Sequence, residues 1–339
     1  MKQRGLFDEI ERLEELTKLG DPLLVLNEKI KWESFRPILK EIRMENPDNI
    51  RNAGRKPFDE VMMFRVIILQ RLYGLSDDQM EFQLKDRRSF ERFVSGGEAM
   101  YQMPDAKTIW LYKERFGEHG ISRKAFRKFN HQLEKANLMA KSGKIVDASF
   151  VEVPRQRNTR EENRYIKEEG TYPDTWGESK KRQKDIEARW TEKNKRRYYG
   201  YKNHVAVDRK RKFILDYTVT TAEVHDSRPL FEIIGTPRDK KEPVWGDSAY
   251  RSEYIEKRLA RRGFISNIHE KGYRHKPLTA KQRENNTKKS RTRARIEHIF
   301  GMIHWMKGNY LRCIGLKRIS ESIGMINLAY NMRRYCLYA

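Results

Sequence analysis

Three carboxylates stand out in this chain by where they fall. Asp147 lies inside "KIVDASFVEV", a β-branched, apolar run that reads as a strand. Asp247 closes "PVWGD", a short apolar run followed by a polar, helix-forming stretch. Glu297 sits in "RARIEHIFGMIHWMKGN", which has helical spacing. Buried strands rarely end on an acid for packing reasons alone. Hard cations such as Mg²⁺ take several oxygen ligands, usually a few carboxylates plus water and substrate phosphate. Two such ions can clamp the attacking and leaving oxygens of an in-line phosphoryl transfer. Mn²⁺ fits the same donors, so carboxylates alone do not separate the two ions.

Each acid also has a plainer reading. Asp247 could cap the segment from Ser248 onward. Glu297 could pair with Arg293, four residues earlier on the same helical face. Asp147 could pair with a neighbouring lysine. Other acids fit a metal site less well. Glu152 faces the opposite side of the strand from Asp147. Asp208 belongs to a turn, Asp216 to a strand without a matching partner, and Glu223 and Asp226 to a loop and helix start. His204 and His225 are minor candidates for lining the site.

The elements that must position these acids begin at Lys144. "YGYKNHVAVD" and "KFILDYTVTTAEV" alternate as strands, and the short basic link between them predicts an antiparallel hairpin. "SRPLFEII" starts a helix with Ser227 as its cap, "SEYIEKRLARRG" is a helix ending at Gly263, and "FISNI" is a short strand. Three early antiparallel strands followed by alternating strands and helices predict a mixed sheet covered by helices, of ribonuclease H-like topology. If the first and fourth of these strands are neighbours, Asp147 and Asp247 approach each other, and a helix crossing the sheet edge brings in Glu297. Between about 155 and 198 the chain is polar, with fifteen Lys/Arg against nine Asp/Glu from Arg155 to Lys202. It reads as a charged insertion or a long helical excursion, partly flexible.

Residues 1–140 read as an all-α domain. "FDEVMMFRVIILQRLYGLS" is a buried helix ended near Gly74, Ser76 caps "DDQMEFQLKD", and amphipathic helices follow. Short helices with basic faces suit DNA binding. Residues 141–339 form the second domain, closed by an amphipathic helix that packs on the core.

The charge narrows the partners. Lys and Arg total 72 against 48 Asp and Glu, a formal net charge of +24. Such a surface calls for a polyanion, with nucleic acid ahead of an anionic membrane. No apolar run approaches the roughly 20 residues that cross a bilayer, and the N-terminus has no apolar signal region. Cys313 and Cys336 are too few for a metal cage or disulfide framework, and read as small buried hydrophobes of a reducing cytoplasm.

The blocks "IVDASFVEVP", "YGYKNHVAVD", "TTAEVHDSRPL", "VWGDSAYRS" and "RARIEHIFGMI", with "AGRKPFDEVMMFRVIILQRLYGLSDDQMEFQLKDRRSFERFVSG" and "MPDAKTIWLYKERF" before them, resemble bacterial insertion-sequence transposases of the insertion-sequence-5 group, within the DDE transposases. The resemblance covers nearly the whole chain. It implies a ribonuclease H-like catalytic domain whose three acids are Asp147, Asp247 and Glu297. The family signature around the Glu has a Tyr, an Arg and a later Lys. Arg293 matches the Arg, whereas Ser290 and His304 replace the Tyr and Lys, with Lys307 one helical turn on.

The implied activity is cutting at the terminal inverted repeats of a mobile element and joining the 3′ ends to target DNA, using Mg²⁺ or Mn²⁺. It also implies a homodimer on double-stranded DNA and a bacterial cytoplasmic, nucleoid-associated location. Arg291, Arg293, Arg295, His304, Lys307 and Lys202 are the expected DNA contacts, within or near a stretch from Lys271 to Arg318 that holds fourteen Lys/Arg against two acids. Trp176 and Trp190 of the insertion could stack on an unpaired base or anchor its packing. The alternatives are a catalytically silent DNA-binding repressor and a nuclease that only hydrolyses.

Overall fold

A computed structural model describes residues 8–43, 57–96, 102–139, 142–193 and 195–338. The chain divides into two compact units, one of residues 1–129 with 325–339 and one of residues 130–324.

The first unit is helical: α1 (Asp8–Lys18), α2 (Pro22–Lys29), α3 (Arg36–Leu39), α4 (Glu60–Tyr73), α5 (Asp77–Asp86), α6 (Arg88–Ser95), α7 (Ala106–His119) and most of α8 (Ile121–Lys135). Helix α4 is apolar almost all round and is buried accordingly. Asp59 caps its start and Gly74, in the left-handed conformation that glycine adopts at least cost, ends it. Ser76 and Gln79 form the capping box of α5. Trp32 and Phe35 pack on Phe64 of α4, and Phe93 packs on Trp32, with ring centroids 5.2–6.0 Å apart.

The second unit is built on six strands: β1 (Lys144–Glu152), β2 (Arg189–Lys193), β3 (Arg196–Asp208), β4 (Ile214–Thr221), β5 (Glu242–Gly246) and β6 (Phe264–Ile268). The sheet order is β2-β3-β1-β5-β6, and β4 also pairs with β3. Strands β1, β3 and β4 are antiparallel, while β1, β5 and β6 are parallel. An order β4-β3-β1-β5-β6 with that change of direction at β1 is the ribonuclease H-like topology that the strand pattern predicts.

Helices α11 (Leu230–Ile233) and α12 (Glu253–Arg261) cover one face, closing a core of Val146, Leu230, Val244, Tyr250, Leu259 and Phe264. Each large apolar side chain buried there contributes about 1.5–3 kcal/mol. Gly200, at φ +143°, lets β3 pass against β1, since a Cβ would run into the Val151 carbonyl.

Several details differ from the sequence reading. The insertion is not one long helix: it holds two short ones, α9 (Arg160–Glu169) and α10 (Glu178–Gln183), and the strand β2. Asp185 ties it down: its carboxylate accepts from the Tyr201 hydroxyl at 2.8 Å and from the backbone N–H groups of Glu187, Ala188 and Gly315. Ser227 does not cap α11, which has Pro229 at its N-cap; the Ser227 hydroxyl bonds His225 Nδ1 at 2.8 Å instead. Cys313 and Cys336 are free thiols, each half-buried rather than buried. Burial pushes the Cys336 thiol up to about 11. The final helix α15 (Leu316–Tyr335) contributes its residues from Met325 onward to the first unit.

Candidate active site

The parallel register places the two aspartates. Lys144 lies opposite Val244 and Ile145 opposite Trp245. Two residues further along each strand, Asp147 comes level with Asp247, just past the end of β5. Alternation turns Asp147 away from the face on which its neighbour Val146 joins the core. Gly246 clears the way into Asp247, because a Cβ there would press on Val146 and Tyr250 at 3.1 and 3.2 Å.

Asp147 is buried, and burial pushes its carboxyl up to about 6. Asp247 adds to the rise, while the backbone N–H of Ala148 and the Arg293 guanidinium oppose it. A like charge nearby makes ionisation of a carboxyl harder. Asp247 accepts from the Ala249 N–H at 2.8 Å and caps the short turn Ser248–Tyr250. The cap and a site role are compatible, since one oxygen serves the backbone and the other is left over.

Glu297 opens α14 (Glu297–Trp305), which continues α13 (Ala280–Arg293) through a single 3₁₀ turn. Thr279 caps α13 with Gln282 in a capping box. Asn286 then pins the helix to the strand ends, exchanging two hydrogen bonds with the Glu270 backbone at 2.8 and 3.1 Å. Lys289 reaches the Ile268 carbonyl at 2.8 Å. So anchored, α13 delivers Arg293 to the acids. Its Nη1 donates to Asp147 Oδ2 at 2.8 Å, and its Nη2 lies 3.6 Å from Glu297 Oε1. The partner of Asp147 is therefore this arginine and not a lysine.

The donor set is all carboxylate, the type that Mg²⁺ and Mn²⁺ prefer. Among the described residues no three His, Cys, Asp or Glu side chains are gathered as a ready metal cage. A cation nonetheless already lies between two of these acids, Asp147 and Glu297, and it is Arg293. Carboxylates that demand a counter-charge fit a divalent ion in kind.

The other expected residues fall into two groups. Arg291, Arg295, His304 and Lys307 are exposed on or just beyond α13 and α14, and Arg295 also donates to the Arg209 carbonyl at 2.9 Å. Lys202 is buried, its ammonium 2.7 Å from Asp226 and donating to the Val224 carbonyl at 2.7 Å. It is therefore not presented to a ligand. Ser290 has its hydroxyl 3.4 Å from His269 Nε2.

Trp176 is buried in the insertion, with its indole N–H on Glu162 at 2.7 Å, while Trp190 on β2 is 50% exposed. His204 is buried, which pushes its ring down to about 4. Sequence reasoning passed over two residues at the site. Tyr250 is a buried phenol whose proton affinity Asp147 and Asp247 raise further, and His269 lies next to Ser290 with its proton affinity lowered by burial and by Arg293. The signal for Tyr250 stood in the quoted "GDSAY" block.

Residues 139–332 match a family described as the transposase DDE domain. Residues 11–115 match a second family, a transposase domain of the DUF772 type. Among solved structures, the chain is similar to the piggyBac transposase in a synaptic complex with hairpin DNA, at 14% identity over 94% of this chain and 74% of that one. The TM-score is 0.46.

Proposed function

Because the chain belongs to the DDE transposase family, we propose that it is a bacterial insertion-sequence transposase of the insertion-sequence-5 group that cuts at the terminal inverted repeats of its element and joins the 3′ ends to target DNA. The observation that carries this reading is the level placement of Asp147 and Asp247 on neighbouring parallel strands, with Glu297 linked to Asp147 through Arg293.

In this reading Asp147, Asp247 and Glu297 hold Mg²⁺ or Mn²⁺. Such ions, when bound, neutralise charge on the attacking and leaving oxygens of a phosphoryl transfer. Asp147 is held rigidly by its strand, and Asp247 is oriented by the Ala249 N–H. Water attacks the phosphodiester at the element end and leaves a 3′-hydroxyl. That hydroxyl then attacks a target phosphodiester in line, so one bond forms as one breaks. Arg291, Arg295, His304 and Lys307 track the phosphates beside the acids, and such contacts make affinity fall steeply with salt.

The helical N-terminal region, 1–140, grips the element ends. Two ends must be held at once, which calls for a homodimer on DNA. The formal charge of +24 supports a polyanionic partner, and a nucleoid-associated cytoplasmic location follows from that activity. No helix among the described residues is long and apolar enough to cross a membrane.

The test is a cleavage and joining assay on DNA carrying the element's own ends, with Mg²⁺ or EDTA. Metal-dependent 3′-end cutting and joining is the expected result. Cutting without joining would mark a hydrolytic nuclease. Binding without cutting in Mg²⁺, or in Mn²⁺ put in its place, would mark a repressor.

A further inference from the structure

The site holds more negative charge than positive. Of the three acids Asp147, Asp247 and Glu297, two share one ion-paired cation, Arg293, and Asp247 has none among the described residues. A single guanidinium spans two of them, at 2.8 Å from Asp147 and 3.6 Å from Glu297. Those two acids lie on different elements, 150 residues apart in sequence, as their numbers show. Arg293 is the only cation within ion-pairing distance of either among the described residues.

The arginine is also placed at some expense to itself. Its side chain is only 25% exposed, and its Nε–H is buried without a hydrogen-bond acceptor. An unmade hydrogen bond of that kind costs about 1–3 kcal/mol. A residue positioned for its own hydrogen bonding would not leave that donor empty. A residue positioned to supply charge where carboxylates crowd would. Its neighbours Arg291 and Arg295 point the contrast, being exposed. The family resemblance gives the position of Arg293 a phosphate contact. The geometry turns it inward, onto the acids.

We propose that Arg293 is the internal counter-ion of the metal-free site: it holds Asp147 and Glu297 together before a divalent cation arrives, and the cation must displace it from Asp147 to bind. The inference rests on the metal-site reading above. Arg293 is on this account a positioning residue, acting through the acids. Its presence keeps the metal-free protein folded around a buried carboxylate, and it weakens metal affinity by the pairing that must be given up. A purely structural arginine would do only the first of these.

The experiment uses the full chain, stripped of metal, as wild type and as Arg293→Gln. Mn²⁺ binding is followed by calorimetry at pH 8, and thermal unfolding is measured in EDTA and in saturating Mn²⁺. The expected variant has a lower Tm in EDTA, binds Mn²⁺ about tenfold more tightly, the weight of one hydrogen bond to a charged group, and gains more Tm from Mn²⁺ than wild type does. A folded variant that binds Mn²⁺ no more tightly than wild type, with the same Tm gain, overturns the proposal and leaves the metal reading standing. No Mn²⁺ binding by either protein removes the metal reading, and the proposal with it. If Arg293→Gln does not fold, Arg293→Lys serves instead. Its compact ammonium reaches one acid without spanning two, so tighter Mn²⁺ binding than wild type is again expected, and equal or weaker binding overturns the proposal.

Discussion

The short paired stretch of β1 and β5 has an ionic cluster on either side of it, and the two clusters are built on opposite plans. At the start of the strands, Glu242 is fully buried and surrounded by cations. It accepts from the Arg238 backbone N–H, Nε and Nη2 at 2.9, 3.1 and 3.0 Å, and Lys144 Nζ lies 3.3 Å away. Lys144 is buried too, and donates to the carbonyls of Ile234 and Thr236 at 2.5 and 2.9 Å. At the other end, Asp147 and Asp247 come level with one arginine between Asp147 and Glu297. The first cluster has its acid enclosed by donors and reads as structure. The second has acids in excess and one of them, Glu297, mostly exposed. Acids left short of counter-charge where β5 ends beside the middle of β1 are what a cation-binding site needs.

The largest effect that would sharpen this contrast is on activity. Asp247→Asn should abolish metal-dependent end cutting, by about a thousandfold or more, while leaving the Tm within a few degrees. Cutting by the variant at near wild-type rate would reduce Asp247 to a cap. The mirror experiment is Glu242→Ala, which strands Lys144 and Arg238 in the interior. It should cost about 3–5 kcal/mol in chemical denaturation. A variant with unchanged stability would break the comparison at its structural end.

Proton linkage gives a third test on the metal-free protein. Asp147 has its folded-state value raised to about 6, so the folded state holds this proton more tightly than the unfolded chain. Its ionisation costs nothing below about pH 4, lowers stability as pH rises toward 6, and stays at full cost above that. The full cost is on the order of 3 kcal/mol. Asp147→Asn should remove that slope. His204, pushed down to about 4, works in the opposite sense: its contribution is complete above about pH 6.5 and is lost as pH falls toward 4. Between pH 4 and 6.5 the wild-type stability curve in EDTA should therefore rise less with pH than that of Asp147→Asn. Identical curves would place Asp147 outside the buried site.

The smallest effect separates the two insertion tryptophans along the same line of enclosed against open. Trp176 is buried and hydrogen-bonded, so Trp176→Ala should destabilise the protein. Trp190→Ala should leave stability unchanged and weaken binding of DNA ends with unpaired bases by about tenfold, as loss of one stacking platform would. Equal binding by Trp190→Ala and wild type would remove the stacking role.

What depends on neighbours along the chain is legible in the residues alone. Alternation and β-branching mark β1, β3 and β4, glycine marks the end of α4 at Gly74, and the Ser76 cap is legible from residue type alone. The three acids are visible because an acid where an apolar run ends, or within a basic, apolar helix, breaks a pattern. The ribonuclease H-like order follows from counting elements.

What the sequence could not show depends on partners far away. Strand β2, "RWTEK", has no strand pattern of its own and is a strand because it pairs with β3. Ser227, a plausible cap by type, is taken by His225. Lys202 looks like one more surface cation, yet it is buried against Asp226. Arg293 looks like a phosphate contact on a basic helix, and is instead turned onto Asp147, a residue 146 positions earlier. Local conformational preference is written in adjacent residues, whereas desolvation and charge pairing act through space. Only the tertiary structure decides which cation a buried carboxylate meets.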